Sequence, residues 1–65
     1  MKINLNGNPV ETRSLSLLDL VIEQGMNPKS LIAEYNFEVV KQDSWNNIHI
    51  KEKDNIELLS FVGGG

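Results

Sequence analysis

Residues 2–12, KINLNGNPVET, determine how the rest of this chain has to be arranged. Their Asn6-Gly7 pair is preferred in two-residue type I′ turns, because both turn positions need a positive φ. Apolar and polar residues alternate before the pair, which is typical of a strand with one buried face. The segment therefore predicts an N-terminal β-hairpin, and the side chains expected on its buried face are Ile3, Leu5 and Val10.

Pro9 indicates where the second strand lies in the sheet. In the predicted register Pro9 lies opposite Asn4, and its missing N–H would point away from the first strand. Proline is tolerated there only if no further strand pairs on that side. We therefore expect the second strand to be an edge strand.

The next segment, SLSLLDLVIEQGMNP (residues 14–28), is the only helix candidate. Ser16 can cap the helix, with Asp19 three residues later. Gly25 suits the position just after the helix, and Pro28 prevents its continuation. The residues expected to share the buried helix face are Leu17, Leu18, Val21 and Ile22.

Three further strands are predicted after the helix. Residues 31–40, LIAEYNFEVV, indicate a strand with a bend near Asn36. A short alternating piece runs through Ile48 and Ile50, after Trp45, which we expect to be a packing anchor. The last strand is IELLSFV, preceded by a charged turn.

This order of elements predicts an α+β fold, a mixed sheet of four to five strands with one main helix packed on one face. The helix-containing crossover favours a parallel pairing of the first strand with the last. That arrangement is the β-grasp, or ubiquitin-like, architecture. We expect residues 1–62 to form a single β-grasp domain and residues 63–65 to form a flexible C-terminal glycine tail.

Composition excludes several classes of function. The chain has 65 residues and no cysteine, which leaves no disulfide, zinc–cysteine site or thiol nucleophile. A net charge of −3 without a basic stripe argues against nucleic-acid binding, and no apolar stretch approaches a membrane span. His49 is the only histidine, so we expect it at a surface strand position and expect no metal site. We expect a cytoplasmic protein that is a monomer alone.

The chain resembles the ThiS family of sulfur carriers in thiamin thiazole synthesis. The resemblance rests on the early Asn-Gly turn, Asn36 after a strand, Trp45, the run DNIELLSFV (residues 54–62) and above all the closing VGGG (residues 62–65). Two turns depart from the family pattern. One is Asn36-Phe37, where the family often has Asn-Gly, and the other is Lys53-Asp54-Asn55.

The resemblance implies a function for the glycine run. The Gly65 carboxylate would be adenylated by a ThiF-like enzyme that uses ATP with Mg²⁺, and would then become a thiocarboxylate. A ThiG-like thiazole synthase would accept the sulfur, which a donor such as a cysteine desulfurase supplies. The chain itself would bind no cofactor and would be a co-substrate with no catalytic residue and no activity of its own.

Physical chemistry independently supports this interpretation of the tail. A C-terminal carboxylate has a pKa near 3.5, so it is ionised at neutral pH and is a nucleophile toward phosphorus. Three extended residues reach about 10 Å beyond the fold. Glycine lets the backbone approach a partner closely, so Gly63, Gly64 and Gly65 could enter a narrow active site.

The last strand predicts a contact surface beside the tail. Alternation places Ile56 and Leu58 toward the helix and Leu59 and Phe61 on the outer face. Exposed apolar side chains often mark an interface, whereas a bulge near Ser60 would turn Phe61 inward. We expect the partner contacts to be Leu59, Phe61 and Val62.

Two other functions remain open at this stage. A carrier for molybdopterin synthase, similar to MoaD, would use the same tail chemistry in a different pathway. A ubiquitin-like modifier or docking module would instead join Gly65 to a lysine, or make no covalent bond.

Overall fold

A five-stranded mixed sheet and one α-helix are the main elements of residues 1–61, the part of the chain that the structure, a computed structural model, describes. The predicted tail and Val62 therefore lie outside the described residues. The strands are β1 (Lys2–Leu5), β2 (Asn8–Glu11), β3 (Leu31–Tyr35), β4 (Glu38–Val40) and β5 (Asn55–Ser60). The helix α1 spans Leu17–Glu23, and two 3₁₀ helices span Pro28–Ser30 and Gln42–Asn47.

The strand order is β2-β1-β5-β3-β4, with β1 and β5 parallel and the other neighbours antiparallel. The pairing of the first strand with the last, across the helix-containing crossover, is as predicted. The strand β2, which contains Pro9, lies at one edge, also as predicted. The predicted α+β class with one main helix is confirmed.

The N-terminal hairpin has the predicted turn and register. Asn6 and Gly7 have φ values of 51° and 82°, the left-handed conformation that the turn requires. Ile3 lies opposite Val10, and Asn4 lies opposite Pro9. Asn-Gly therefore sets the register locally, and the register places the apolar side chains on one face.

Helix α1 begins and ends as its sequence predicts. Ser16 Oγ accepts a hydrogen bond from the Asp19 amide at 3.1 Å, which satisfies a free N–H of the first turn. Gly25 follows with a φ of 72°. The Met26 amide donates to the Val21 carbonyl, which completes a Schellman motif that ends the helix.

The buried face of α1 differs from the prediction. Leu17, Leu20 and Val21 are buried and Leu18 is half-buried, but Ile22 is 61% exposed, so its predicted place in the core is wrong. Positions i, i+3 and i+4 share a helix face, whereas Ile22 is rotated about 100° beyond Val21. A helix of seven residues presents only this one stripe to the sheet.

The segment 31–40 forms a hairpin, so the prediction of one bent strand is wrong. Asn36 and Phe37 have φ values of 50° and 72°, and the chain reverses between β3 and β4. The side chain of Asn36 anchors this turn to the start of β5. Its Oδ1 accepts from the Asn55 amide at 2.8 Å, and its Nδ2 donates to Asp54 at 3.2 Å.

The predicted short strand through Ile48 and Ile50 is also wrong. The segment just before it is the 3₁₀ helix Gln42–Asn47, and only an isolated bridge joins exposed His49 to Ser16. The Ile50 amide donates to the Leu15 carbonyl at 3.0 Å, so this segment pairs with the loop before α1 and not with the sheet.

The hydrophobic core lies between α1 and the inner face of the sheet. Trp45 is buried, as expected of a packing anchor, and its Nε1 donates to the Val40 carbonyl at 3.1 Å. Within residues 1–61, no helix has the length and apolar character needed to cross a membrane. The buried apolar side chains are Ile3, Leu5, Leu17, Leu20, Val21, Leu31, Ala33, Trp45, Ile50, Ile56 and Leu58.

Candidate functional site

The end of β5 presents apolar side chains away from the core. Ile56 and Leu58 are buried, whereas Leu59 is 64% exposed and Phe61 is 42% exposed. The register with β3 is continuous to Ser60, so no bulge turns Phe61 inward. The predicted phase of the strand is confirmed, and the partner-contact role of Leu59 and Phe61 stays a prediction.

The neighbouring strands extend this exposed surface. Ile32 on β3 lies opposite Leu59, and Val39 on β4 lies opposite Glu34. Both apolar side chains are exposed, and period-2 alternation in these strands is the signal that could have identified them. We call this surface the outer face; it comprises Ile32, Glu34, Val39, Glu57, Leu59 and Phe61.

Hydrogen bonds hold the backbone of β5 as far as Phe61 on the β3 side and as far as Leu58 on the other side. Beside β3, the Phe61 amide donates to the Ser30 carbonyl at 3.0 Å. On the other side β1 has already turned away, and the Asn6 side chain takes its place. Asn6 Oδ1 accepts from the Leu58 amide at 2.8 Å, and Nδ2 donates to the Leu58 carbonyl at 3.2 Å. The last hydrogen-bonded residue, Phe61, therefore precedes Gly65 by four residues in the sequence.

A shallow groove of about 270 Å³ lies between this Asn6 contact and the outer face. Its lining combines two carboxylates, one side-chain amide and apolar side chains, and β5 provides one wall. The lining residues are Asn6, Ile32, Glu34, Glu57, Leu58 and Leu59.

The start of β5 carries a polar network, centred on Asp54, that sequence reasoning did not identify. Asp54 is only 8% exposed and accepts hydrogen bonds from the Tyr35 hydroxyl, from Asn36 Nδ2 at 3.2 Å and from the Lys51 amide at 2.7 Å. Burial by itself raises the pKa of Asp54, but these hydrogen bonds together outweigh it and lower the pKa below 3.8. The network joins the β3–β4 turn at Asn36 and the turn at Lys51 to the start of β5.

Tyr35 is the donor partner in that network. Burial, together with the hydrogen bond to Asp54 and the charge of that carboxylate, raises the pKa of Tyr35 to about 12. The phenol is therefore a neutral donor at neutral pH, which suits a structural hydrogen bond.

The second groove, near the N-terminus, has a structural explanation. It measures about 460 Å³ and is lined by Met1, Glu11, Thr12, Arg13 and Glu23. Its Glu23 carboxylate accepts from Thr12 Oγ1 at 2.7 Å and from Ser14 Oγ at 3.2 Å, which ties the loop before α1 to the helix. In the part of the chain that the structure describes, no three His, Cys, Asp or Glu side chains come together as a metal site.

Comparisons with known proteins agree with this fold. Residues 3–65 match the model of the ThiS family. The sulfur carrier protein ThiS of Bacillus subtilis is 29% identical over 65 residues, covering 97% of this chain and 98% of that protein. A crystal structure of the thiamine biosynthesis protein ThiS from Geobacter metallireducens matches with a TM-score of 0.85 and 26% identity, over 100% of both chains.

A longer relative shows a different chain organisation. A thiazole synthase of Magnetococcus marinus is 35% identical over 66 residues, which cover 100% of this chain and 20% of that protein. This chain thus spans about a fifth of the length of that thiazole synthase. A segment similar to the whole of this chain occurs there within one longer polypeptide.

Proposed function

Because this chain belongs to the ThiS family, we propose that it is a sulfur carrier in thiamine biosynthesis. The observation that carries the proposal is the alignment with the Bacillus sulfur carrier over nearly the full length of both chains. The fold match to the Geobacter protein, itself described as a thiamine biosynthesis protein, supports the same pathway.

The proposal places the reacting group on Gly65. A carboxylate oxygen attacks the α-phosphorus of ATP, pyrophosphate leaves, and an acyl-adenylate forms. Hydrosulfide then attacks the carbonyl carbon, AMP leaves, and a thiocarboxylate remains. A persulfide donor would instead give an acyl disulfide, and a thiol would then attack the donor sulfur and release the thiocarboxylate. The carboxylate has to be ionised for the first step, and a terminal carboxyl group is ionised at neutral pH.

We propose that partner enzymes catalyse these steps and that this chain carries the sulfur atom. An adenylating enzyme of the ThiF kind would bind ATP and Mg²⁺, a donor such as a cysteine desulfurase would supply sulfur, and thiazole synthase would accept it. The thiazole synthase that contains a segment similar to this chain supports the last partnership, since proteins that act together are often joined in one polypeptide. We propose that this chemistry takes place in the cytoplasm, where ATP is available for the activation.

The outer face and the tail would act together in this function. Gly63 and Gly64 would let the extended backbone enter a narrow active site, because they have no side chain to collide with its walls. Leu59, Phe61 and Val62 would dock the enzyme. Because a hydrogen bond fixes the backbone at Phe61, the positions that the Gly65 carboxylate can reach are restricted. This restriction matters because a displacement of about 1 Å between reacting atoms can strongly lower the reaction rate.

Intact-mass measurement tests the proposal. The chain is incubated with a ThiF-like enzyme, Mg-ATP and sulfide, and we expect the mass increase that corresponds to replacing one oxygen with sulfur. The chain lacking Gly65 is the matched control and should stay unmodified, because its carboxylate is displaced by about 3.5 Å. An unmodified wild-type chain, or equal modification of the control, would contradict the proposal.

The same measurement separates a carrier from a modifier, and complementation of a carrier-deficient strain separates the two kinds of carrier. A ubiquitin-like modifier would gain the mass of a second protein through an isopeptide bond. A molybdopterin-synthase carrier would form the same thiocarboxylate, but would restore molybdenum-cofactor synthesis and not thiazole synthesis in a carrier-deficient strain.

A further inference from the structure

The centre of the outer face contains two carboxylates that directly oppose each other. Glu34 on β3 pairs with Glu57 on β5. Directly opposite residues of antiparallel strands have Cβ atoms about 4.5–5.5 Å apart, and like charges in this position are destabilising. The sheet therefore keeps an arrangement that works against its own stability.

No group among residues 1–61 neutralises this pair. The one salt bridge within that range joins the Met1 amino group to Glu11. The side-chain hydrogen bonds within it likewise include none to Glu34 or Glu57. The acidic pair of Glu34 and Glu57 thus has hydrogen-bonding capacity available for a partner.

Apolar side chains frame the acidic pair. Ile32 and Leu59 form the next cross-strand pair toward the end of β5, and Val39 lies on the other side of Glu34. The groove of about 270 Å³ contains both carboxylates together with Ile32 and Leu59. A ligand here would pair its charge with the carboxylates while its apolar part contacts the frame.

We propose that the acidic pair recognises one arginine of thiazole synthase, whose guanidinium enters between Glu34 and Glu57. A planar guanidinium offers several N–H donors in a fork that matches carboxylates, and it is more weakly hydrated than an ammonium. Two carboxylates are too few for Ca²⁺, which takes six to eight oxygen ligands. This inference rests on the proposed function, and it takes thiazole synthase as the partner because a segment similar to the whole of this chain is joined to such an enzyme in one polypeptide.

The arginine would also explain why the sheet carries two carboxylates directly opposite each other. In the free chain the two charges repel, and in the complex the cation between them would offset that repulsion. Replacing either glutamate by glutamine should therefore weaken binding while leaving the fold as stable as before or more stable. A residue with a purely structural role would not give this combination.

The experiment measures the Kd of the complete 65-residue chain for thiazole synthase by titration calorimetry. Glu34→Gln and Glu57→Gln are each expected to weaken binding roughly tenfold or more, since each would remove one partner of a charge pair that the complex buries. Glu38→Gln is the matched control. It changes the net charge equally, but Glu38 lies opposite Tyr35, on the other face of the sheet, and its Kd should stay within about twofold of wild type by that reasoning.

Melting temperatures and salt dependence complete the test. Both variants should melt at or above the wild-type temperature, and their binding should depend less on salt. Wild-type Kd values for both variants, or an equal loss in Glu38→Gln, would overturn the inference. So would a wild-type chain that becomes thiocarboxylated but does not bind thiazole synthase, and that outcome would leave the carrier proposal intact. A wild-type chain that never becomes thiocarboxylated would instead overturn the carrier proposal.

Discussion

The two ends of β5 differ in how completely their polar groups are satisfied. At its start, the buried carboxylate of Asp54 accepts three hydrogen bonds, from Tyr35, Asn36 and the Lys51 amide. At its end, Leu59 and Phe61 are exposed, and before them, within the strand, the opposed charges of Glu34 and Glu57 are not neutralised by any residue in the range 1–61. At one end of the strand the polar groups are thus satisfied within the chain, and at the other end lie the exposed groups for which we propose contact with a partner.

The difference between the two ends of β5 is related to the small size of the domain. A chain of 65 residues buries only roughly 60% of its unfolded surface, so its core is small and every buried polar group matters. A contact surface, in contrast, has to leave groups unsatisfied until the partner arrives. Substitutions at the start of β5 should change stability, and substitutions toward its end should change function.

The largest effect is expected in the tail that follows β5. Gly64→Val should reduce thiocarboxylate formation roughly a hundredfold or more, because a β-branched side chain restricts the backbone and misplaces the carboxylate. The melting temperature should hardly change. Mass spectrometry of activated samples and thermal unfolding check both parts, and unimpaired activation would show that no narrow channel accepts the tail.

At the start of the strand, the loss should be in stability. Asp54→Ala should lower the free energy of unfolding by about 2–3 kcal/mol, because the Lys51 amide and Asn36 Nδ2 lose their acceptor. Asp43→Ala, at an exposed position, is the control. Urea unfolding gives the values, and a folded Asp54→Ala chain should still be activated normally. Equal stability of the two variants would contradict the role of the network.

At the end of the strand, Phe61→Ala should weaken binding to the adenylating enzyme about thirtyfold, or about 2 kcal/mol, if the ring is an interface anchor. Stability should fall by less than the roughly 3 kcal/mol typical of a core truncation, because the ring is partly exposed. Ile22→Ala, which removes an exposed apolar side chain from α1, is the matched control. A loss of stability typical of a core truncation, together with normal binding, would show that Phe61 is a core residue and not an interface anchor.

The smallest effect is expected at the tip of the β3–β4 hairpin, next to the start of β5. Phe37 has a φ of 72°, which strains its backbone, and it is 76% exposed. Burial of its ring therefore offsets little of that strain. Phe37→Gly should raise the free energy of unfolding by about 0.5 kcal/mol, since glycine adopts this conformation without strain. Phe37→Ala keeps the Cβ and should give no such gain in denaturant titrations. A loss of stability in Phe37→Gly would mean that the ring packs usefully.

Much of the fold could be predicted from the sequence because local rules apply to it. Asn6-Gly7 needs only its own backbone preference to form the turn, and Pro9 needs only its missing N–H to lie at an edge. The caps of α1 at Ser16 and Gly25 are likewise local. In β5, strict alternation was enough to predict that Leu59 and Phe61 face outward and lie beside the tail.

Other features were decided only by tertiary structure. Asn36 and Phe37 reverse the chain because Asn36 is bonded to Asp54 and Asn55, which are distant in sequence. The segment at Ile48 and Ile50 pairs with the loop before α1, and no local pattern distinguishes that loop from a sheet edge as its partner. The opposition of Glu34 and Glu57 could not be predicted either. In the sequence each glutamate is an ordinary charged residue, and only the register between β3 and β5 places the two opposite each other. Local sequence determines what each segment prefers, whereas contacts between distant segments determine which groups meet, because their energies depend on positions that no single segment specifies.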